Sequence, residues 1–319
     1  MKSAECLDPR PLGSSGIEVS ALSLGSWRTY ERLPQGTGVA IMRAAREEGI
    51  TFFDDARYND ETGRAPIPSG HSEVVFGNLC RAAGLRRDEV VIANKLWWEF
   101  WPDQDAAAEL DASLDRMGLE YVDLIYAAPA PAGLRVPEVV AGVGGLITAG
   151  RARAWGVLNW APQAIAHASA VAASVGVPPP CAAQLPYSLV RRSPVEDAAM
   201  AGALAQAGTA VVASFCLEGG ILSGKYLDQG AEGRAAEVLG QPTFEAALGA
   251  AADLADLAAR LDTTPAALAL AFTLANPAVA SVLFGATSAG QVSANCAAAS
   301  LLRRLGPGEL AGLRLIGAS

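Results

Sequence analysis

Three side chains of complementary chemistry fall in two short stretches of this 319-residue chain. The first is Phe53-Asp54-Asp55-Ala56-Arg57-Tyr58 and the second is Asn94-Lys95-Leu96-Trp97-Trp98. Each follows a short apolar run of the kind that forms a buried strand. An acid, a phenol and an amine delivered to neighbouring strand ends make a proton-transfer set. A free phenol, with a pKa of about 10, holds its proton too firmly to be an efficient acid at neutral pH. A nearby ammonium favours the phenolate and lowers that value, while a carboxylate keeps the amine charged and in place. Asp54, Tyr58 and Lys95 are therefore the candidate catalytic residues, with Tyr58 as the acid. Asp55 reads as a solvated or capping carboxylate.

Such a set needs a scaffold that brings distant strand ends to one place. Apolar, β-branched runs occur at Ala21–Leu24, Thr51–Asp54, Val90–Asn94, Val122–Tyr126, Ala154–Val157, Ala182–Leu185, Ala210–Ser214 and Ser281–Phe284. Helical patterns alternate with them at Gly38–Glu48, Ser72–Ala83, Asp103–Met117, Pro137–Ala149, Pro162–Val175, Val195–Ala207, Pro265–Leu274 and Gln291–Leu302. Strict strand–helix alternation predicts a parallel sheet, and eight units is the closure number of a (β/α)8 TIM barrel. Residues 1–319 thus read as one barrel domain. Pro11–Ser20 reads as an N-terminal hairpin turning at Ser14–Gly16 and plugging the lower end. Two stretches break the spacing: a Gly/Pro-rich insert at 59–70, and a long Gly-rich loop at 217–243 with an extra helix near Phe244–Leu261. Long loops on the C-terminal side of barrel strands carry function.

Composition removes other classes. Net charge is −9 and no Lys/Arg run is present, which argues against nucleic acid as a partner. Five cysteines without CxxC spacing fit reduced thiols in a cytoplasmic protein, and two histidines are too few for a multi-His metal site. No stretch is long and apolar enough to suggest a membrane span.

Beyond the first motif, the chain carries Leu24-Gly25-Ser26-Trp27, Ser72-Glu73 with Gly77, Tyr121-Val122-Asp123-Leu124, and Gly150 with Arg153-Ala154. Asn159-Trp160, Gln184, Gly219 through Tyr226, and Gly285-Ala286 with Gln291 and Asn295 follow. In this order and spacing they resemble the aldo-keto reductases over nearly the full length. The resemblance implies hydride transfer from NADPH to a small or medium carbonyl substrate, with Tyr58 donating the proton, Lys95 tuning it and Asp54 holding Lys95. It implies that Ser26, Trp27, Asn159 and Gln184 line the nicotinamide, and that Ser214 or Phe215, depending on alignment, stacks on its ring. Leu217, Gly219, Lys225 and Arg234 correspond to a pyrophosphate clasp, and Gly285, Ala286, Ser288, Gln291 and Asn295 to the adenosine end.

Four departures from the family pattern stand out. The histidine expected five residues after the Asp of Tyr-x-Asp-Leu is Ala128, and loss of one such donor costs about 10²–10³ in rate. Related barrels without that histidine include a carbon–carbon double-bond reductase and channel-associated subunits of poor turnover. Tyr58 follows Asp54 by four residues where the family has five, Leu158 replaces a common Ser, and Gln291 stands where many members have Arg, so NADH is an alternative to NADPH. Two assignments stay open. His71 either replaces the missing histidine from the insert or is a surface residue. Trp97 and Trp98, with Phe100 and Trp101, either wall the substrate pocket or pack in the core.

Overall fold

The structure is a computed structural model that describes residues 8–58, 70–227 and 242–317. The chain opens with strands β1 (Pro9–Pro11) and β2 (Glu18–Ser20), an antiparallel hairpin closed by the Leu12 amide donating to the Ile17 carbonyl at 2.8 Å. It is pressed against the barrel floor so tightly that a Cβ on Gly13 would overlap the carbonyl oxygens of Cys181 and Gly208. Arg10 adds a hydrogen bond to the Val279 carbonyl at 2.8 Å. The expected plug is thus present.

Eight parallel strands then close a barrel: β3 (Leu22–Gly25), β4 (Phe52–Asp54), β5 (Val91–Leu96), β6 (Val122–Ala127), β7 (Ala152–Leu158), β8 (Ala182–Pro186), β9 (Ala210–Ser214) and β10 (Val279–Phe284). β10 pairs with both β9 and β3, which seals the ring and leaves no sheet edge. Every expected strand lies in it. The helices around it are α1 (Gln35–Glu47), α2 (His71–Ala83), α3 (Ala106–Met117), α4 (Val136–Thr148), α5 (Pro162–Val175), α6 (Ser193–Glu196), α7 (Ala198–Ala207), α8 (Pro242–Arg260), α9 (Pro265–Leu274), α10 (Ala289–Leu302) and α11 (Pro307–Ile316).

Sequence and structure differ in several helices. The stretch expected as one helix over 195–207 is broken at Asp197, whose carboxylate caps α7 through the Ala199 amide. α3 starts at Ala106 rather than Asp103, because Asp105 is the capping carboxylate and accepts from the Ala108 amide at 2.8 Å. α11 follows the eighth strand–helix unit and no barrel pattern calls for it. The Asp123 and Arg153 of the family motifs are structural: buried Asp123 pairs with Arg153 and Arg87, both at 2.7 Å, and accepts from the Ile92 amide, tying β5, β6 and β7 together.

Candidate active site

The alternation of side chains along a strand decides which residues reach the barrel interior. In β5, Asn94 turns to the helix layer, donating to Glu73 of α2 at 2.9 Å, while Lys95 turns inward. Lys95 is almost fully buried. Its Nζ lies 2.5 Å from Asp54 Oδ1 and donates to the Tyr58 hydroxyl at 3.0 Å. Asp54 is equally buried, and its second oxygen accepts from Gln184 Nε2 of β8 at 2.9 Å. Asp54, Tyr58 and Lys95 therefore meet, and the shortened Asp54–Tyr58 spacing does not keep them apart. The Tyr58 amide is fixed by Ser72 Oγ at 3.1 Å, and Ser72 Oγ in turn donates to the Ala56 carbonyl.

The electrostatics correct one expectation. The phenol was expected to be pulled below its ordinary value by Lys95. Instead Tyr58 is pushed well above it, first by burial and then by the charges of Asp54, Asp55 and Glu73. The ammonium is already balanced by Asp54 at 2.5 Å, so little of its field is left for the phenol. Tyr58 is thus held as a neutral hydroxyl that also receives a hydrogen bond from a cation.

Asp55 is a second correction. It is fully buried, neither solvated nor capping, and accepts from Ser26 Oγ. Burial and the neighbouring Glu73 raise its carboxyl well above the usual range. With the Ser26 amide donating to the Asp54 carbonyl at 3.1 Å, this ties the turn after β3 to the turn after β4. Ser26 therefore holds the mouth together from within.

The aromatic stretch after β5 divides. The Trp97 ring packs on Tyr58 at 6.2 Å between centroids and walls the site. Trp98 is buried and donates from Nε1 to the Ala128 carbonyl at 3.1 Å, so it braces the end of β6. Half of Phe100 is exposed, under the Arg57 guanidinium, and Trp101 packs at the edge of the core. Glu109, which sequence reasoning missed, clamps this turn by accepting from the Trp97 and Trp98 amides at 2.8 and 3.1 Å. Its signal is a lone acid beside Leu110 on the buried side of an alanine-rich helix. Tyr187 packs outside the site, donating to Glu196 at 2.6 Å and accepting from Asn276 at 3.1 Å.

Ala128 is buried just past β6, and both histidines are exposed: His167 on the outer face of α5, His71 at the first residue of α2. Among the described residues no hydrogen bond joins His71 to Tyr58, Lys95 or Ala128. Arg234 and most of the insert lie outside the described residues, and Lys225 is exposed with its Nζ 4.7 Å over the Tyr226 ring.

Residues 21–307 match the model of the Aldo/keto reductase family. The chain belongs to that family. A probable voltage-gated potassium channel subunit beta from Oryza sativa subsp. japonica is 30% identical over 311 residues, covering 93% of this chain and 92% of its own length. A protein of the same description from Arabidopsis thaliana is 29% identical over 312 residues, with the same shares.

Aldo/keto reductases are generally NAD(P)H-dependent oxidoreductases, and the mouth of this one has surface suited to a nicotinamide. The Phe215 ring, just past β9, is 47% exposed and lies 5.5 Å from the Trp27 ring. Asn159, just past β7, is also exposed and held at a φ of 56°. A flat ring past β9 and an amide past β7, with β8 between them, fit a planar carboxamide-bearing ring. Gln184 of β8 is fixed at the mouth by its amide nitrogen, which donates to Asp54. Beyond β9, Leu217 leads into Gly219 and Gly220, both with positive φ. At the other end, Ser288 caps α10 through the Gln291 amide, and the Gln291 side chain accepts from Thr287 N at 2.8 Å. Gly285 and buried Ala286 precede that cap, and Asn295 is buried one turn further on. Among the described residues no group of acidic, histidine or cysteine side chains is arranged to hold a metal ion, and no helix is long and apolar enough to cross a membrane.

Proposed function

We propose that this protein is a cytoplasmic NAD(P)H-dependent reductase acting on a small or medium carbonyl compound, with Tyr58 as proton donor. The observation that carries the reading is Lys95 Nζ in contact with both Asp54 and the Tyr58 hydroxyl. A nicotinamide bound beside Trp27, Asn159 and Phe215 supplies the hydride. The residues do the rest. The Tyr58 hydroxyl points its proton at the oxygen of the bound carbonyl. As that oxygen gains charge it becomes a far stronger base than a phenolate, so even a phenol of raised pKa gives up its proton. Lys95 then keeps its hydrogen bond to the phenolate left behind, while Asp54 and Gln184 hold Lys95 in place. Trp97 excludes water from one side. Lys225, with Arg234, favours NADPH over NADH.

Mixing the protein with NADPH and a panel of aldehydes should consume NADPH. Cofactor binding without oxidation by any carbonyl overturns the reading.

Ala128 and the channel-subunit descriptions of the relatives favour a second reading, a cofactor-binding barrel of low turnover that serves as an interaction subunit. Slow single-turnover hydride transfer together with a stable protein partner is its signature. A third reading keeps the enzyme and changes the acceptor to an imine or activated double bond. Ala128→His separates the cases: a large gain on simple aldehydes means that the native site is specialised away from them.

A further inference from the structure

We infer that Arg28 recognises a negatively charged group on the substrate, so that the preferred substrates are carbonyl compounds bearing a carboxylate. This rests on the reductase reading above and names its substrate class.

Three other cations around the mouth are paired. Lys95 is paired with Asp54 at 2.5 Å, Arg57 with Glu99 at 2.7 Å, and Arg191 with Glu218 at 2.8 Å. Arg28 is half-buried and makes no ion pair with any described residue. Its Nε is shut off from solvent and has no hydrogen-bond partner, and its guanidinium carbon lies 5.5 Å over the Trp27 ring. A partly desolvated guanidinium with unspent donors is costly to hold, and a carboxylate is its natural complement because the two match in a bidentate geometry.

Its position is fixed with respect to the chemistry. Ser26, two residues earlier, is anchored to Asp54 and Asp55. Glu31, three residues later, adds to the raised pKa of Tyr58, so this turn is on the phenol's side of the mouth. Arg28 itself sits at a φ of 50°, a left-handed conformation that costs an arginine about 1–2 kcal/mol relative to its relaxed backbone. Strain of this kind is retained where the surrounding structure sets a side chain for function. The Trp27 ring under the guanidinium also packs against Phe215, which places the cation beside the proposed nicotinamide site.

The test uses a matched pair, 4-carboxybenzaldehyde and its methyl ester, with NADPH and full-length protein. Wild type should show a KM for the carboxylate about tenfold or more below that of the ester. Arg28→Met should erase this preference by raising the carboxylate KM about ten- to a hundredfold, with the ester kinetics and NADPH affinity within twofold of wild type. Arg28→Lys keeps the charge and should retain part of the preference, which excludes a folding defect. Equal movement of both substrates, no movement of either, or a parallel loss of NADPH affinity overturns the inference; the last result assigns Arg28 to the cofactor's phosphates. Binding of the two compounds to the NADP⁺-loaded protein, followed by tryptophan fluorescence, separates the two layers of the argument. A carboxylate preference lost in Arg28→Met but without turnover keeps the role of Arg28 and rejects the reductase reading. No preference in binding rejects the role of Arg28 whatever the turnover.

Discussion

The two ends of the barrel handle difficult backbone in opposite ways. At the base, helix-to-strand turns place their left-handed residue on glycine, as at Gly118 (φ 67°) and Gly208 (φ 65°). At the mouth, five left-handed positions past the strands, Arg28, Trp98, Asn159, Phe215 and Glu218, are held by residues other than glycine, beside glycines such as Gly219 and Gly220. Of the non-glycine residues with positive φ among the described residues, only Asp262 lies elsewhere. The base is therefore built for stability and the mouth for side chains that a glycine could not supply. The same division holds for charge. Buried Asp123 at the base is answered by two arginines, while at the mouth Asp55 is buried without a cation and Arg28 without an anion among the described residues.

Substitutions should break this contrast unequally. Lys95→Met has the largest expected effect, since it leaves Asp54 buried with only Gln184 as partner. It should abolish turnover and cost about 3–5 kcal/mol in a denaturant titration; retained stability would mean that the Lys95–Asp54 contact does not hold the fold. Gly208→Ala has room for its methyl group, the nearest atom being Ser14 Cβ at 3.9 Å, so only the backbone cost remains. It should lose about 1–2 kcal/mol with kcat and KM unchanged, and altered kinetics would mean that the base is coupled to the site.

Asp55→Asn should act through pH. The folded protein holds the Asp55 proton more tightly than the unfolded chain, whose carboxyl titrates near 3.8. Wild type therefore loses stability as pH rises above that value toward the higher folded pKa, and the asparagine variant lacks this loss. The melting temperature of Asp55→Asn relative to wild type should climb from pH 4 to pH 8. A constant difference would show that the carboxyl is not held neutral. The smallest effect is expected for Arg28→Gly. Relief of the left-handed strain offsets the entropy lost with glycine, so its stability should stay within about 0.5 kcal/mol of wild type. A clear destabilisation would mean that Arg28 is there to hold the fold.

The barrel was legible because its signal is repeated. Every apolar run at Ala21–Leu24 through Ser281–Phe284 is a strand of the closed ring, and Thr264-Pro265 begins its helix and Gly118 ends its own as their residue types require. Asp54, Tyr58 and Lys95 were legible because adjacent strands of a parallel barrel must bring their ends together. Asp55 was misread because adjacency in sequence hides the reversal of side chains along an extended chain: Asp54 faces Lys95, and Asp55 faces Ser26. The rise at Tyr58 was hidden for a related reason, since the neutralising pair and the buried Glu73 come from three separate elements. Gln184 and Glu109 were missed in these roles because their partners, Asp54 and the amides of Trp97 and Trp98, are set by tertiary packing rather than by spacing.

The central claim is that the hydroxyl at Lys95 is the proton donor in hydride transfer to a carbonyl. Single-turnover oxidation of bound NADPH by 4-carboxybenzaldehyde, compared between wild type and Tyr58→Phe, tests it most directly. The account predicts a rate lower by about 10²–10⁴ in the phenylalanine variant, with NADPH affinity within twofold of wild type. Equal single-turnover rates would contradict it and remove Tyr58 from the chemistry.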